Sequence, residues 1–328
     1  MKKNIRVLMF VLGLTINFCA GNLKAEDSDI NHDVNIMMGW WSDQFAKLIS
    51  FSGSSEINCI ARAIPERNIE FGYSGNVNII NTDSNAYKRL DYYIFTRGSE
   101  PPIAQLPMAT SLLHIKYGHA KGYDVGIKSG GLSLKTTDNS ISLANNVIGA
   151  EFRMQMYEEK TDGFDFLGSL AVNSINGVFQ LNNSSVGNDQ TTEFGSTTTY
   201  NRSYSSSSNM KINWGFTSIN LKGIASKKYS FFVPYAGLQA DLNLGKTNGE
   251  LNYVMDNISL TEVGNPGNTA TAPDSTISGD KSSAIPQVNL RVLYGFDIIL
   301  GAFKIWFSGE AASDSTAFGF GARYQVKI

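Results

Sequence analysis

Three histidines, His32, His114 and His119, and the single cysteine beyond the leader, Cys59, are the residues from which metal or nucleophilic chemistry would be built. His114 and His119 lie five apart in a stretch of alternating apolar and polar residues. A strand turns successive side chains to opposite faces, so an odd spacing separates the two imidazoles and they cannot share a metal. No serine or acid stands at a spacing that singles out a Ser/His or Asp/His site. Gly319-Phe320-Gly321 falls inside a strand pattern and not between strand and helix, where a phosphate-cradling loop belongs. The expectation is therefore no cofactor, no metal and no enzyme, with a barrel hydrolase or acyltransferase as the alternative. Cys59 is expected to be a small buried apolar residue, and one cysteine excludes an intrachain disulfide in the mature chain.

The charged residues are more informative. Lys116, Asp124, Lys128, Glu151, Arg153, Lys211, Asp241, Arg291, Lys304 and Arg323 each sit between apolar neighbours in stretches of strict alternation, always on the face opposite the apolar one. With Glu70 and Lys327 they make eight basic residues against four acidic ones. Two readings follow. The charges form a mutually neutralising network, or they line a polar channel whose cationic excess gives a weak preference for anionic solutes.

These residues need a scaffold of strands. The alternation runs through Ile69 to Ile79, Leu113 to Lys128, Ile148 to Met156, Met210 to Thr217, Ala236 to Leu244, Val288 to Tyr294, Phe303 to Phe307 and Phe318 to Ile328. In all of them the apolar face carries no Lys, Arg, Asp or Glu. A lipid-facing Lys or Arg at a bilayer midplane costs about 2–4 kcal/mol, which would select such segregation. Connections alternate between long, polar tracts (183–209 and 255–284) and short ones (158–163, 224–228 and 297–301). Tyr157, Phe164, Tyr229, Phe231, Phe296 and Phe303 flank the short turns as an aromatic girdle. Counting a first strand near 55–63, about twelve strands are expected, with ten or fourteen as alternatives.

One stretch has helical period. In 33–50, Val34, Met37, Met38, Trp41, Phe45, Leu48 and Ile49 share a face opposite Asn35, Ser42, Asp43 and Lys47. It is read either as a helix on the protein's surface or the membrane interface, or as a plug inside a barrel.

The chain begins with Lys2, Lys3 and Arg6 before the apolar run Val7 to Ala20, and Ala25 offers a cleavage point. Residues 1–25 are read as a signal peptide, 26–54 as an N-terminal segment with the amphipathic helix, and 55–328 as a barrel. Removing the leader takes four basic residues and no acid from the 27 basic and 29 acidic ones, leaving a net charge of about −6. That balance gives no electrostatic footprint for nucleic acid.

The terminal segment, with Phe318, Phe320, Tyr324 and Val326 at alternate positions, resembles the last strand of Gram-negative outer-membrane β-barrels. Ile328 stands where that pattern usually ends in an aromatic residue. The resemblance implies a transmembrane antiparallel up-and-down barrel in the bacterial outer membrane, with its lipids and the barrel-assembly machinery as partners. A helix before a barrel also resembles the plugged fatty-acid transporters of that membrane. The function expected is a channel or transporter for small solutes. The alternatives are a structural or adhesive surface barrel with a closed lumen, and a soluble secreted β-protein with its apolar face turned inward.

Overall fold

The computed structural model describes residues 27–54, 60–93, 101, 103–192, 198–271 and 273–328. The expected signal peptide and Cys59 lie outside these. Helix α1 spans Asp27–Ser54, and two short helices, α2 (Ser84–Lys88) and α3 (Glu159–Asp162), sit in connections. The remaining elements are strands of one antiparallel sheet: β1 (Asn68–Asn81), β2 (Gln105–Ala120), β3 (Tyr123–Lys135), β4 (Ile141–Tyr157), β5 (Asp165–Thr192), β6 (Thr199–Ser226), β7 (Phe232–Glu262), β8 (Thr269–Thr271), β9 (Ser275–Ala284), β10 (Val288–Leu300), β11 (Phe303–Ala311) and β12 (Ser315–Lys327). Among the described residues, 60–67 form no strand and the first strand begins at Asn68; the rest of the first strand expected near 55–63 lies outside the described residues.

The sheet closes on itself. β1 pairs with β2 on one side and with β12 on the other, in register from Asn68↔Lys327 to Ile80↔Ser315. The twelve strands expected are present, and β8, β9 and β10 all pair with the same strand, β7. The closed circuit therefore passes through ten positions, with β1 beginning and β12 ending at the same rim. Closure pairs each strand of the circuit on both sides over most of its length, which is why the chain can present apolar residues round its outside with little invitation to edge-to-edge pairing.

The period-2 alternation sets the two faces. Phe71, Leu113, Ile127, Ile148, Leu238, Leu290 and Phe320 are exposed on the outside, while Glu70, Lys116, Asp124, Arg153, Asp241, Arg291 and Arg323 are buried inside. This reverses the soluble arrangement and rules out the inward-apolar alternative for these strands. The girdle expected beside the short turns is present: the Tyr157 ring centroid lies 5.8 Å from that of Phe164, and Phe296 stands 5.2 Å from both Phe232 and Phe307.

Two expectations fail, for one reason. The tracts 183–209 and 255–284 are mostly strand: β5, β6 and β7 run for 28, 28 and 31 residues and rise beyond the apolar belt as one continuous ladder. The asymmetry between rims thus lies in strand length more than in loop length. In the upper part of β6 the faces are also swapped. Met210, Ile212, Trp214 and Phe216 point inward and are buried, so Lys211 points outward, opposite Glu250 of β7. Beyond the apolar belt the outer face is polar, while the inner face meets a helix and must be apolar.

That helix is α1, and it lies inside the barrel against β1, β2, β5, β6, β7, β9 and β12. The helix thus lies within the lumen and not on the outer face. Trp41, Phe45 and Ile49 join inward residues Ile80, Leu112, Ile175, Ile212 and Trp306 in one cluster. The polar side is covered too: Ser42 is fully buried and its Oγ donates to the Lys281 carbonyl at 3.2 Å. Close approach on this side depends on two glycines of the wall. A Cβ at Gly249 would stand 2.3 Å from Ser42 Oγ, and one at Gly279 would stand 2.7 Å from Val34 Cγ1.

Candidate functional site: the filled lumen

The lumen has two layers. Towards the rim with long strands it is apolar and occupied by α1. Towards the rim with short turns it is ionic and crossed by residues 60–65, which follow the helix.

In the ionic layer, opposite charges meet on paired strands, as Arg153 and Asp124 do in register, or reach across one intervening strand, as Lys116 of β2 and Glu151 of β4 do. Arg153 of β4 grips Asp124 of β3 through two bonds of 2.7 Å each, the geometry that suits a guanidinium to a carboxylate. Glu151 accepts from Lys116 at 2.8 Å and lies 3.3 Å from Lys222. Arg291 pairs with Asp241 at 2.6 Å and with Glu310 at 2.9 Å. Lys304 pairs with Glu70 at 2.8 Å, and Arg323 binds Asp297. Each pair bridges strands, so burial of these charges is compensated locally.

Nine of the ten lumen candidates therefore face inward: Lys116, Asp124, Lys128, Glu151, Arg153, Asp241, Arg291, Lys304 and Arg323. Lys211 does not, for the reason given above. Five inward ionisable residues on the strands were missed: Lys222, Arg202, Asp165, Asp297 and Glu310. Lys222 was legible from its place between Leu221 and Gly223 in the same alternation. Asp297 and Glu310 sit near strand ends, where turn and strand patterns overlap. With these changes and Glu70, and with Lys327 exposed at the rim, eight basic residues of the strands face seven acidic ones, so the expected cationic excess shrinks from four to one.

Residues 60–65 seal this layer from below. The backbone N–H of Ile64 donates to Asp124 Oδ2 at 2.7 Å, that of Ala61 to Ser226 Oγ at 3.0 Å, and Arg62 pairs with Asp165 at 2.7 Å. Ile60, Ala61, Ala63 and Ile64 cover Leu167, Ile224, Val233 and Leu293.

The apolar layer contains a cavity of about 180 Å³ between α1 and the wall. Trp41, Phe45 and Leu48 line it from the helix, and Leu106, Met108, Leu143, Phe179, Leu181 and Met210 from β2, β4, β5 and β6. Of the three histidines, His114 is buried in the ionic layer, its Nε2 3.7 Å from Glu70 Oε1, while His119 is exposed on the other face. His32 stacks on Tyr93 at 4.2 Å near the opposite rim. The three are thus dispersed, and among the described residues no group of three His, Cys, Asp or Glu could hold a metal ion.

No family model and no curated protein matches the chain. Among solved structures it is similar to the translocator domain of autotransporter NalP from Neisseria meningitidis, at 8% identity over 80% of this chain and 89% of that one, TM-score 0.30. It is also similar to Ail, the attachment invasion locus protein of Yersinia pestis, at 10% identity over 80% and 99%, TM-score 0.24. A third likeness is to the P. putida toluene transporter TodX, at 9% identity over 85% and 92%, TM-score 0.27. These proteins are outer-membrane β-barrels.

Proposed function

We propose that the chain is an outer-membrane β-barrel whose lumen is a conduit for small solutes, held shut at rest by α1 and by residues 60–65. The apolar belt is the surface that outer-membrane lipids would cover, and β12 is the strand that the barrel-assembly machinery would read. The observation that carries the conduit is the separateness of the plug. Two glycines make room for α1, and its hydrogen bonds to the wall run through side chains and carbonyls, not through ladder pairing. Such an element can leave without unzipping the barrel. With eight basic and seven acidic residues turned inward on the strands, little basis is left for an anion preference.

The test is conductance in planar bilayers for the full chain and for a deletion of residues 33–50 that keeps heat-modifiable gel mobility. Stepwise conductance in the deletion and little in the full chain are expected. A deletion variant that folds and stays closed would leave the second reading, a structural surface barrel, which the self-neutralised ionic layer favours. Recovery of the mature chain without detergent would sink both.

A further inference from the structure

We infer that the outer wall beside the rim of short turns holds one glycerophospholipid, with its phosphate at Arg67, His119 and Lys121 and an acyl chain in a groove across β2 to β5. The inference concerns the outside of the barrel and stands whether or not the lumen conducts.

A small residue cuts the groove. Within the apolar belt, Ala150 of β4 stands in register between Ile127 of β3 and Val172 of β5. One methyl group between two larger side chains leaves a furrow in the wall. Ile115 and Tyr117 of β2, Phe152 of β4, and Leu170 and Val172 of β5 border it, and its volume is about 560 Å³. Gly126 adds no side chain to the floor, and the carboxylate behind it, Glu151, is turned inward to Lys116 at 2.8 Å. Such a lining takes hydrocarbon.

Towards the rim the chemistry changes in the order of a lipid's own parts. On β2, Leu113 and Ile115 are followed at alternate positions by Tyr117 and His119, whose rings lie 6.4 Å apart, and the turn then presents Lys121. Tyr123 stacks on Phe152 at 6.0 Å beside them. Rings with a polar edge belong where hydrocarbon gives way to head groups.

Two backbone irregularities place the cations. The β2–β3 ladder slips between Gly118 and Ala120, so His119 is the extra residue of a bulge, a device that re-aims a side chain. Beside it, Arg67 has a φ of +59°, and its N–H donates to the Gly118 carbonyl at 2.9 Å. Glycine would suit that backbone better, so what arginine contributes there is its guanidinium. Arg67 and Lys121 are 74% and 85% exposed, and their partners, Glu66 at 4.0 Å and Glu158 at 3.4 Å, are exposed as well. Pairs of this kind hold weakly in water and give way to a phosphate, which offers more acceptors. Phosphate is therefore the complement of this stretch of rim, and an acyl chain that of the groove above it. Free phosphate would leave the groove empty, and a free alkane would leave the cations unused. A glycerophospholipid fills both.

The test is native mass spectrometry of the full chain in detergent, titrated with dioleoylphosphatidylglycerol. One lipid should bind before any others. Dioleoylglycerol, which has the same chains and no phosphate, should bind about tenfold more weakly, as loss of charge-assisted hydrogen bonds implies. Arg67→Gly removes the guanidinium and relaxes the backbone, so it should weaken the first phospholipid by about tenfold while leaving dioleoylglycerol unchanged. Lys121→Gln should act in the same direction. Ala150→Leu fills the furrow and should weaken both lipids. Lys227→Gln with Lys228→Gln, which takes two cations from the rim elsewhere, should change neither. Heat-modifiable mobility reports folding of every variant. A first lipid no tighter than the rest, phospholipid binding untouched by Arg67→Gly, or an equal loss in the Lys227 and Lys228 variant overturns the site. Dioleoylglycerol binding as tightly as the phospholipid overturns the phosphate assignment.

Discussion

Arg291 of β10 closes the end of α1 at Phe51. Its guanidinium donates to the Phe51 carbonyl at 2.8 Å and to that of Ser50 at 3.2 Å, and it lies over the Phe51 ring, 4.2 Å from the centroid. The last carbonyls of a helix have no partner within it, and the helix dipole puts partial negative charge there. A buried cation supplies both needs, and Asp241 and Glu310 hold that cation in place. The ionic layer thus anchors the apolar plug.

Arg291→Met should therefore unseat α1 and leave two carboxylates buried without their cation. Breaking a buried pair from one side typically costs about 3–5 kcal/mol. The expected result is a lower temperature for loss of the compact form on heat-modifiable gels. Asp241→Asn, which keeps Glu310 opposite the arginine, should fall between this variant and the unaltered chain. Equal melting of all three would mean that the layer does not hold the plug.

Gly249→Val and Gly279→Val should open the conduit without dismantling the wall. Each places carbon where Ser42 or Val34 of α1 stands, within 2.3 and 2.7 Å of the nearest atom. Backbone pairing of β7 with β6 and β9 does not need the missing hydrogen. The side chain that must move belongs to the helix. Single-channel recordings should show leak conductance for both variants. Alanine at Gly215, whose Cβ would meet nothing within 4 Å, serves as the control.

How far the sequence revealed this architecture depends on what each face touches. In the belt, Phe71, Leu113, Phe152 and Phe320 alternate with Glu70, His114, Arg153 and Gly321, and the faces follow from the cost of charge in lipid. Above the belt the same pattern misleads. Met210 to Phe216 read as a lipid face, yet they meet the indole and phenyl rings of a helix far away in the chain. Alternation reports that two faces differ and not which one is inside. The Ser/Thr/Asn tract after residue 183 reads as loop because its strand propensity is weak, but pairing on both sides extends the ladder through it. That the β2–β3 ladder ends at Ser111↔Gly131 is a matter of register, which composition does not encode.

At the outer rim, acid should loosen the plug. Asp83 holds it there: the carboxylate accepts from the Ala86 N–H at 2.8 Å and lies 3.6 Å from Lys47 of α1, and Trp40 donates to the Asp83 carbonyl at 3.4 Å. The Ala86 N–H first, and Lys47 after it, hold the Asp83 carboxyl below its ordinary range. A carboxyl lowered by folding adds stability above its unfolded value, about 3.9, and that stability is lost as pH falls through the lower folded value. The group is partly exposed, so the effect is about 1 kcal/mol or less. Trp40 fluorescence should shift to the red below about pH 4 in the unaltered chain. Asp83→Asn should flatten that dependence; an unchanged acid shift in the variant would assign it to another group.

Lys211 and Leu221 both point outward from β6, ten residues apart, one on the polar extension of the wall and the other on its apolar belt. Leu221 is 64% exposed and faces Leu170 and Ala240 across the neighbouring strands. Lys211 faces Gln180 and Glu250. If hydrocarbon covers the first and water the second, Leu221→Lys should cost about 2–4 kcal/mol in folding into lipid vesicles. Lys211→Leu should change stability by about 0.5 kcal/mol or less, as solvent-facing substitutions do. The contrast should vanish if water surrounds β6 at both levels, where a new lysine on an exposed face is harmless at either position. Reversible urea unfolding in vesicles measures both variants on one scale. Equal tolerance of the two would remove the bilayer from around β6, whatever the lumen conducts.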